Sequence, residues 1–489
     1  MARRGAAGGR PVIVCNRAPY EPTREGASRR GAGGVVTALI SLAEVLNADW
    51  VACARTPTER TLANREERGF KVGANERRVH YASPTADAYR LHYSVIANPL
   101  LWFTQHYLWD LAREPRITTE THRAWDQGYV RVNQEMAATA VHVAAGNGSK
   151  PLVLSHDYQL YLVPQLVREA LPKATIQHFV HIPWPTPQYW KVLPVRMRDA
   201  IMRGLLAADV VGFQSHLDVR NFLLGCEENL GLRVDWDRER VSTGGRETWV
   251  RAYPISIDID RVEQMARWSA VGTEVNRFIG SRPEKLIVRV DRCDPSKNVL
   301  RGFIAFAKLL GDHPELQRRV QFLAFLQPSR EEVSWYRIYL NEVRQLVDHI
   351  NAEYGDSRWR PIRLELGEGI RRAMALYREF DVLLVNSTFD GMNLVAKEAI
   401  IANQRDGVLV LSENAGAHAE LAPASVSVNP FDIEATARAL HRALVMPVNE
   451  RRGLLERGRA IISNNTVHHW IERQRNDLAS LAAEHRAAS

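Results

Sequence analysis

The sequence predicts an α/β protein built on parallel sheets, and three observations carry that reading. Short, continuously apolar runs recur along nearly the whole chain. Amphipathic stretches of helical length, such as "DIEATARALHRAL" at 432–444, separate most of them. At 489 residues the chain exceeds what one ordinary core supports, so roughly two to three domains are expected. Strands that are apolar on both faces and alternate with helices belong in parallel sheets covered on both sides.

The strands expected from these runs are 11–15, 151–157, 175–183, 210–215, 286–290, 319–326, 362–367, 381–386, 407–412 and 425–430. A helical and polar region around 256–284 separates two sets of them and reads as a linker between two doubly wound domains. The "DID" at 258–260 falls inside it and reads as polar linker, so no metal is expected there. Ligands of such sheets bind beyond the carboxyl ends of the strands, which directs attention to the loops there.

Composition narrows the classes. Hydrophobic residues make up 45% and charged residues 25%, as in an ordinary globular protein. No apolar run is long enough for a membrane span, and the opening apolar run is too brief for a secretion signal. The four cysteines, Cys15, Cys53, Cys226 and Cys293, are scattered without a CxxC pair, which fits reduced thiols and a cytoplasmic location. The net charge of +8 favours anionic partners. The cations are nevertheless spread among 56 acidic residues, with no nucleic-acid-binding motif, so small phosphorylated substrates fit better than nucleic acid.

The strand-end loops hold the candidate chemistry. "CNRAPY" places Arg17 after the first strand, and "RRGAGGVVTAL" offers Gly31, Gly33 and Gly34 at a helix start, where backbone N–H groups suit a phosphate or simply make a turn. "LSHDYQ" ends in His156 and Asp157, and "HFVHIPWPTP" places His181 before a proline-broken loop. Trp184 and Trp190 in and after that loop suit a sugar pocket. "RVDRCDPSKN" carries Arg292 and Lys297, either as an anion clamp or as a solvated turn capped by Ser296 or Asn298, with Asp294 closing the turn or pairing with Arg292. "NSTFDGMNLVAKEA" carries Asp390, Gly391, Met392 and Asn393 before a helix with Glu398. Asp390 and Glu398 are a little over two helical turns apart, compatible with one shared ligand. N-capping by Asp390 or Asn393 beside a solvated Glu398 is the competing explanation.

Taken in order, "NRAPY", "GAGGVVTAL", "NPLLWFTQHY", "WDQGYVRVN", "SHDYQL", "HFVHIPWPTP", "GFQS", "YPISID", "RCDPSKN", "QPSREEV", "DGMNLVAKE", "LSENAGA" and "VNPFD" resemble the motifs of the trehalose-6-phosphate synthases, retaining glycosyltransferases of family 20. The resemblance runs from about residue 11 to 475. It implies the GT-B fold, two facing Rossmann-like domains with a cleft between them. Residues 1–255, with a C-terminal helix 465–489 packing back, would bind the acceptor, and 256–464 the nucleotide sugar. The implied reaction is glucosyl transfer from a nucleoside-diphosphate glucose to glucose 6-phosphate by front-side attack, without metal or cofactor. A homo-oligomer is compatible with the sequence, which does not fix the oligomeric state.

The resemblance also implies roles. Arg292 and Lys297, with the amide of Gly34 beside Gly33, would hold the donor diphosphate. Asp390 and the amides of Gly391, Met392 and Asn393 would hold donor glucose, with His181 against that sugar. Glu398 would hold the ribose in a pocket lined by Leu394 and Val395. Arg17, Tyr93 and Arg330 would grip the acceptor phosphate, Asp157 would position the acceptor sugar, and Trp102 would wall its pocket. Two positions depart from the pattern: Cys53 stands where the family carries an acceptor-site Trp, and Phe389 stands where many members carry Arg. These departures shift the donor expectation toward GDP-glucose over UDP-glucose. They also admit two alternatives, a pseudo-glycosyltransferase joining a GDP-cyclitol to an aminocyclitol phosphate and a catalytically silent nucleotide-sugar-binding regulator.

Overall fold

The computed structural model describes residues 9–22, 28–30, 34–65, 70–71, 78–148, 150–280 and 282–488. Gly31 and Gly33 lie outside the described residues. The chain divides into two compact units: Met1–Pro254 with Ile471–Ser489, and Ile255–Trp470.

The first unit is organised on a ten-stranded sheet. Its strands are β1 (Val12–Val14), β2 (Asp49–Cys53), β3 (Phe70–Lys71), β4 (Arg78–Ala82), β5 (Leu152–His156), β6 (Thr175–Phe179), β7 (Val210–Phe213), β8 (Arg233–Asp235), β9 (Arg240–Thr243) and β10 (Arg246–Ala252). They lie in the order β8-β9-β10-β7-β6-β5-β1-β2-β4-β3. The centre is parallel, from β10 across to β4. Both edges are antiparallel, which the expectation of purely parallel sheets did not include. The reason at one edge is the Gly244-Gly245 turn, both residues at positive φ, which closes a hairpin between β9 and β10.

The second unit has six strands, all parallel: β11 (Lys285–Arg292), β12 (Val320–Gln327), β13 (Ile362–Leu366), β14 (Val382–Val385), β15 (Val408–Ser412) and β16 (Val426–Val428), in the order β13-β12-β11-β14-β15-β16. Helix α2 (Val299–Asp312) covers this sheet through Phe303 and Phe306, which meet Phe322 edge-on at 5.2 and 5.4 Å. The region read as a linker is packed structure instead. Helices Ile259–Ala266 and Ser269–Ile279 bury Val262, Met265, Val271 and Val275, so their apolar stripe makes them part of the second unit. Asp258 is the N-cap of the first, accepting from the Arg261 N–H at 3.1 Å.

Each sheet reverses its strand order once, and those reversals place the chemistry. In the first unit the order turns between β1 and β5, so the loops carrying Arg17 and Asp157 start side by side. In the second it turns between β11 and β14, which brings together the loops 293–298 and 386–393. Such switch points open a crevice because the two following connections diverge to opposite faces.

The opposite strand ends are tied by one device used in both units. Asp209 precedes β7; its carboxylate accepts from the Ile176 N–H at 2.8 Å and from Arg168 and Arg246 at 2.7 and 2.8 Å. Asp381 precedes β14 and does the same with the Leu286 N–H at 2.8 Å, Arg282 at 2.6 Å and Arg451 at 3.3 Å. Removing one member of a buried ion pair leaves its partner uncompensated. Asp381→Ala is therefore expected to cost about 3–5 kcal/mol in urea unfolding, because Arg451 is buried and Arg282 keeps only 10% of its side chain in solvent. Asp209→Ala is expected to cost less, since Arg246 keeps 37% of its side chain in solvent. Equal losses would count against burial as the cause.

Candidate functional site

The second unit builds its loops around a buried cation. Arg289, 0% exposed in the middle of β11, donates to the Asp291 carboxylate at 3.0 Å, to the Asn386 side-chain oxygen at 2.7 Å and to the carbonyl of Lys297. A charge without water must be matched by acceptors, and these come from its own strand, from the end of β14 and from the next loop. Gly302 of α2 leaves room for it: a Cβ there would stand 2.8 Å from a guanidinium nitrogen. Asn298, at φ 58°, adds a second tie by donating to the carbonyls of Asn386 and Pro430 at 2.9 and 2.7 Å. Its amide is thus spent on loops, and it gives α2 no side-chain cap. Asp294 caps the short turn Pro295–Lys297, accepting from Ser296 at 3.0 Å.

This scaffold aims Lys297 at Asp390. The Lys297 ammonium donates to one oxygen of Asp390, which also accepts from the Ser387 hydroxyl at 3.1 Å and the Asn393 amide at 3.0 Å. Asp390 is not on the helix. Helix α3 (Leu394–Ala402) starts beyond it, so the two-turn spacing to Glu398 does not apply. Asn393, at φ 73°, is the cap, and it accepts from the Ala396 N–H at 3.3 Å. The first N–H groups of α3 open beside this cation–carboxylate pair.

The DGMN loop is braced from behind by "LSENAGA". Asp390 donates to the Asn414 carbonyl at 3.1 Å, Gly416 donates back to Asp390 at 3.0 Å, and Ala417 donates to Met392 at 2.7 Å. A Cβ on Gly416 would lie 1.8 Å from the Gly391 carbonyl oxygen, so only glycine permits this approach. Glu398 sits half-buried in α3, and burial pushes its carboxyl up to about 7. Leu394 and Val395 are half-exposed in the first turn. Arg292 ends β11 with 36% of its side chain exposed, 3.9 Å from Asp294. The closer partner of Asp294 is Arg330, 3.1 Å away and 5% exposed, which also donates to the Tyr336 hydroxyl.

In the first unit, the strand-end loops are held as firmly. Arg17 is half-exposed, and its carbonyl accepts from the Trp50 indole at 3.0 Å. Asp157 sits at φ 76°, a strained setting for a non-glycine residue, with its N–H on the Phe179 carbonyl at 2.8 Å. Two residues of "WDQGYVRVN" fix the loop that follows. Tyr129 donates to the Tyr158 carbonyl at 2.6 Å, and Asn133 donates to Gln159 at 3.0 Å. His181 is 5% exposed, with its ring nitrogens 3.2 Å from His156 and 3.5 Å from Gln214. Burial and then its histidine neighbours hold it well below the usual range, so it is neutral. Tyr93 stacks on Tyr89 at 5.5 Å, and Trp102 stacks on His106 at 3.9 Å within a buried aromatic group. Gly34 begins helix α1 (Gly34–Leu46).

One sequence-derived reading changes. Trp184 and Trp190 are 1% and 0% exposed and pack on each other at 4.5 Å, with Phe213 and Phe222 edge-on to Trp184, so they fill the core rather than shape a sugar pocket. Cys53 is likewise fully buried in β2, and burial raises its thiol far above the usual range. Arg289, Asn386, Ser387 and Gly416 carry the second unit's loops and were not singled out by spacing. "LSENAGA" was the one sequence signal for the brace.

Two units whose parallel sheets each present loops at a switch point, one of them with a lysine–carboxylate pair at a helix start, define a GT-B glycosyltransferase. The sequence profile of glycosyltransferase family 20 matches residues 9–480, and the chain belongs to that family, the trehalose-6-phosphate synthases. It is 34% identical over 458 residues to a bifunctional trehalose-6-phosphate synthase/phosphatase of Thermoproteus tenax, covering 90% of this chain and 60% of that longer protein. It is 32% identical to a UDP-forming α,α-trehalose-phosphate synthase of Aspergillus niger, covering 94% and 95% of the two chains. Identity is 30% to the validamine 7-phosphate valienyltransferase of Streptomyces hygroscopicus subsp. jinggangensis, covering 93% and 90%. The UDP-forming α,α-trehalose-phosphate synthase of Burkholderia xenovorans, solved in complex with glucose-6-phosphate, superposes with a TM-score of 0.82 at 28% identity, covering 96% and 100%.

Two outcomes follow from this geometry. Gly416→Ala is expected to displace the Gly391 carbonyl and weaken nucleotide-sugar binding in calorimetry by at least about tenfold, with the circular dichroism spectrum retained. Unchanged affinity would show that the brace does not set the loop. Glu398 has a folded-state value of about 7 against an ordinary 4.5, so the folded protein takes up a proton between these values. Its contribution to stability is therefore greatest on the acid side and declines as pH rises from about 4.5 to 7. Glu398→Gln should raise the unfolding temperature above pH 7 relative to the parent and have less effect near pH 5. A pH-independent difference would refute the assignment.

Proposed function

We propose that the protein is a retaining glucosyltransferase that makes trehalose 6-phosphate from a nucleoside-diphosphate glucose and glucose 6-phosphate. The observation that carries this reading is the Lys297–Asp390 contact at the start of α3, where a diphosphate and a sugar meet complementary groups. The relatives printed as trehalose-phosphate synthases support the substrates.

In this assignment the second unit takes the donor. Arg292 and Lys297 hold the diphosphate and stabilise the charge that grows on it as the glycosidic bond breaks, the term that commonly dominates catalysis. Asp390 and the amides of Gly391, Met392 and Asn393 hold glucose hydroxyls, and Glu398 the ribose beside Leu394 and Val395. The first unit takes the acceptor through Arg17, Tyr93, Asp157 and Trp102, with the Gly33–Gly34 amides assigned to the donor phosphates. Arg330 is assigned to the acceptor phosphate and must then share its charge with Asp294. His181 is a neutral wall for the donor sugar, since both ring nitrogens already face partners.

A lysine, a hydroxyl and an amide all donate to one oxygen of Asp390, which lowers the nucleophilicity of that oxygen. That supports front-side attack by the acceptor hydroxyl over a glycosyl-enzyme. Four free cysteines support a reducing, cytoplasmic setting. Among the described residues no helix is long and apolar enough to cross a membrane.

The valienyltransferase relative and the buried Cys53 favour one second reading, coupling of a nucleotide cyclitol to an aminocyclitol phosphate. One panel separates the readings and assigns the base. Incubation with UDP-, GDP- or ADP-glucose and glucose 6-phosphate, in chelator, should give a disaccharide phosphate. Turnover only with an aminocyclitol phosphate would replace the reading, and donor binding without any product would leave a regulator. Cys53 and Phe389 favour GDP-glucose and the UDP-forming relatives favour UDP-glucose, so the faster donor names the base. Lys297→Ala and Arg292→Ala are each expected to lower kcat by about 10²–10³-fold with the fold intact. Near-normal kcat in either variant would remove it from leaving-group stabilisation.

A further inference from the structure

At the far end of α2 from Lys297, about 20 Å along the helix axis, a second cluster of chemically capable side chains stands apart from the loops above. His313 follows the last residue of α2, and the turn Pro314–Leu316 brings Glu315 back to it. Helix Ile433–Val445 packs alongside and supplies His441. The two imidazoles lie face to face, centroids 3.6 Å apart and planes within 4°. The Glu315 carboxylate is 3.1 Å from Nδ1 of His313. One donor atom from each residue lies within 4.8 Å of the other two.

Burial and then His313 lower His441 below its ordinary value. Imidazole nitrogens beside a carboxylate are the donor set of divalent transition metals. Lys308 of α2 is engaged by Asp312 and lies 3.5 Å from Glu434. Access is open, with 31% of the His313 side chain and 60% of that of Glu315 exposed. Bonds of about 2.0–2.1 Å in a tetrahedral shell place donors about 3.3 Å apart, so the rings must turn out of their stack to close on an ion. Partly exposed side chains permit that rotation.

We propose that His313, Glu315 and His441 form a site for one divalent transition-metal ion of the zinc, cobalt or nickel class. The ion would fasten the end of α2 to helix Ile433–Val445, with water completing its shell. None of the three residues has a part in glucosyl transfer.

The test is titration of the chelator-stripped, full-length protein with ZnCl2 by calorimetry and with CoCl2 by visible absorption. One equivalent should bind, the cobalt spectrum should show low-coordinate d–d bands, and zinc should raise the unfolding temperature. His441→Ala should weaken zinc by at least about tenfold, while glucosyl transfer stays at the parent rate. Glu315→Gln should weaken it less than His441→Ala. Affinity unchanged in His441→Ala would overturn the site, as would substoichiometric binding.

Discussion

The second unit depends on a single buried guanidinium. Arg289 has no exposed surface, and every acceptor that compensates it belongs to a different part of the loop system: Asp291 to its own strand, Asn386 to the end of β14, and the Lys297 carbonyl to the loop after β11. An uncompensated charge in this position would cost several kcal/mol, so the three segments hold their places together or not at all. Gly302 shows the same constraint from the helix side, since a methyl group there would meet the guanidinium. A buried ionic network of this kind is a weak source of net stability. What it supplies here is position, because its one carbonyl acceptor is the backbone of the lysine that points at Asp390.

That lysine–carboxylate contact in turn explains how the loop tolerates like-signed neighbours. Asp291 is buried and its carboxyl is raised by desolvation, with Asp390 close enough to push it further. Arg289 and Lys297 offset Asp291, and Lys297 also pairs with Asp390. In the proposed assignment, a diphosphate at Arg292 and Lys297 would enter a site whose cations already have partners. Under that assignment the anion would draw on Lys297 while a sugar took over part of what Asp390 accepts, which would couple the two parts of a nucleotide sugar through one pair of atoms.

The fold was largely legible in the sequence. Every strand expected from an apolar run is present within a few residues, because burial on both faces leaves an unbroken apolar signature. The strands that the apolar runs do not mark include Asp49–Cys53, Phe70–Lys71 and Arg78–Ala82, short or broken by charge, and Arg233–Asp235, Arg240–Thr243 and Arg246–Ala252, whose Arg, Asp and Glu interrupt the apolar signature on the antiparallel side of the sheet. The helices at 259–279 were taken for a linker because their polar faces dominate the composition, while the apolar stripe that docks them is only a few residues wide. At the site, loops named by motif were legible and their supports were not. Arg289 within "LIVRV" looks like one outward-facing charge on a strand. Its burial follows from Asn386, 97 positions away, and no local pattern encodes that. Trp184 and Trp190 misled for the opposite reason, since aromatic rings beside prolines suit a sugar and a core equally well, and packing against Phe213 and Phe222 decides.

The two glycines that matter most make the same point about specificity. Gly302 and Gly416 are not in turns that need a positive φ; each is glycine because another group occupies the space of its side chain, a guanidinium in one case and the Gly391 carbonyl in the other. Both contacts serve the same loops, one from beneath Lys297 and one from behind Asp390. A sugar-nucleotide site needs donors and acceptors held to within fractions of an ångström, and flexible side chains do not supply that alone. Here backbone is packed against backbone at Gly416 and charge against helix at Gly302. The precision of the Lys297–Asp390 pair is therefore a property of what stands behind the two residues rather than of the residues themselves.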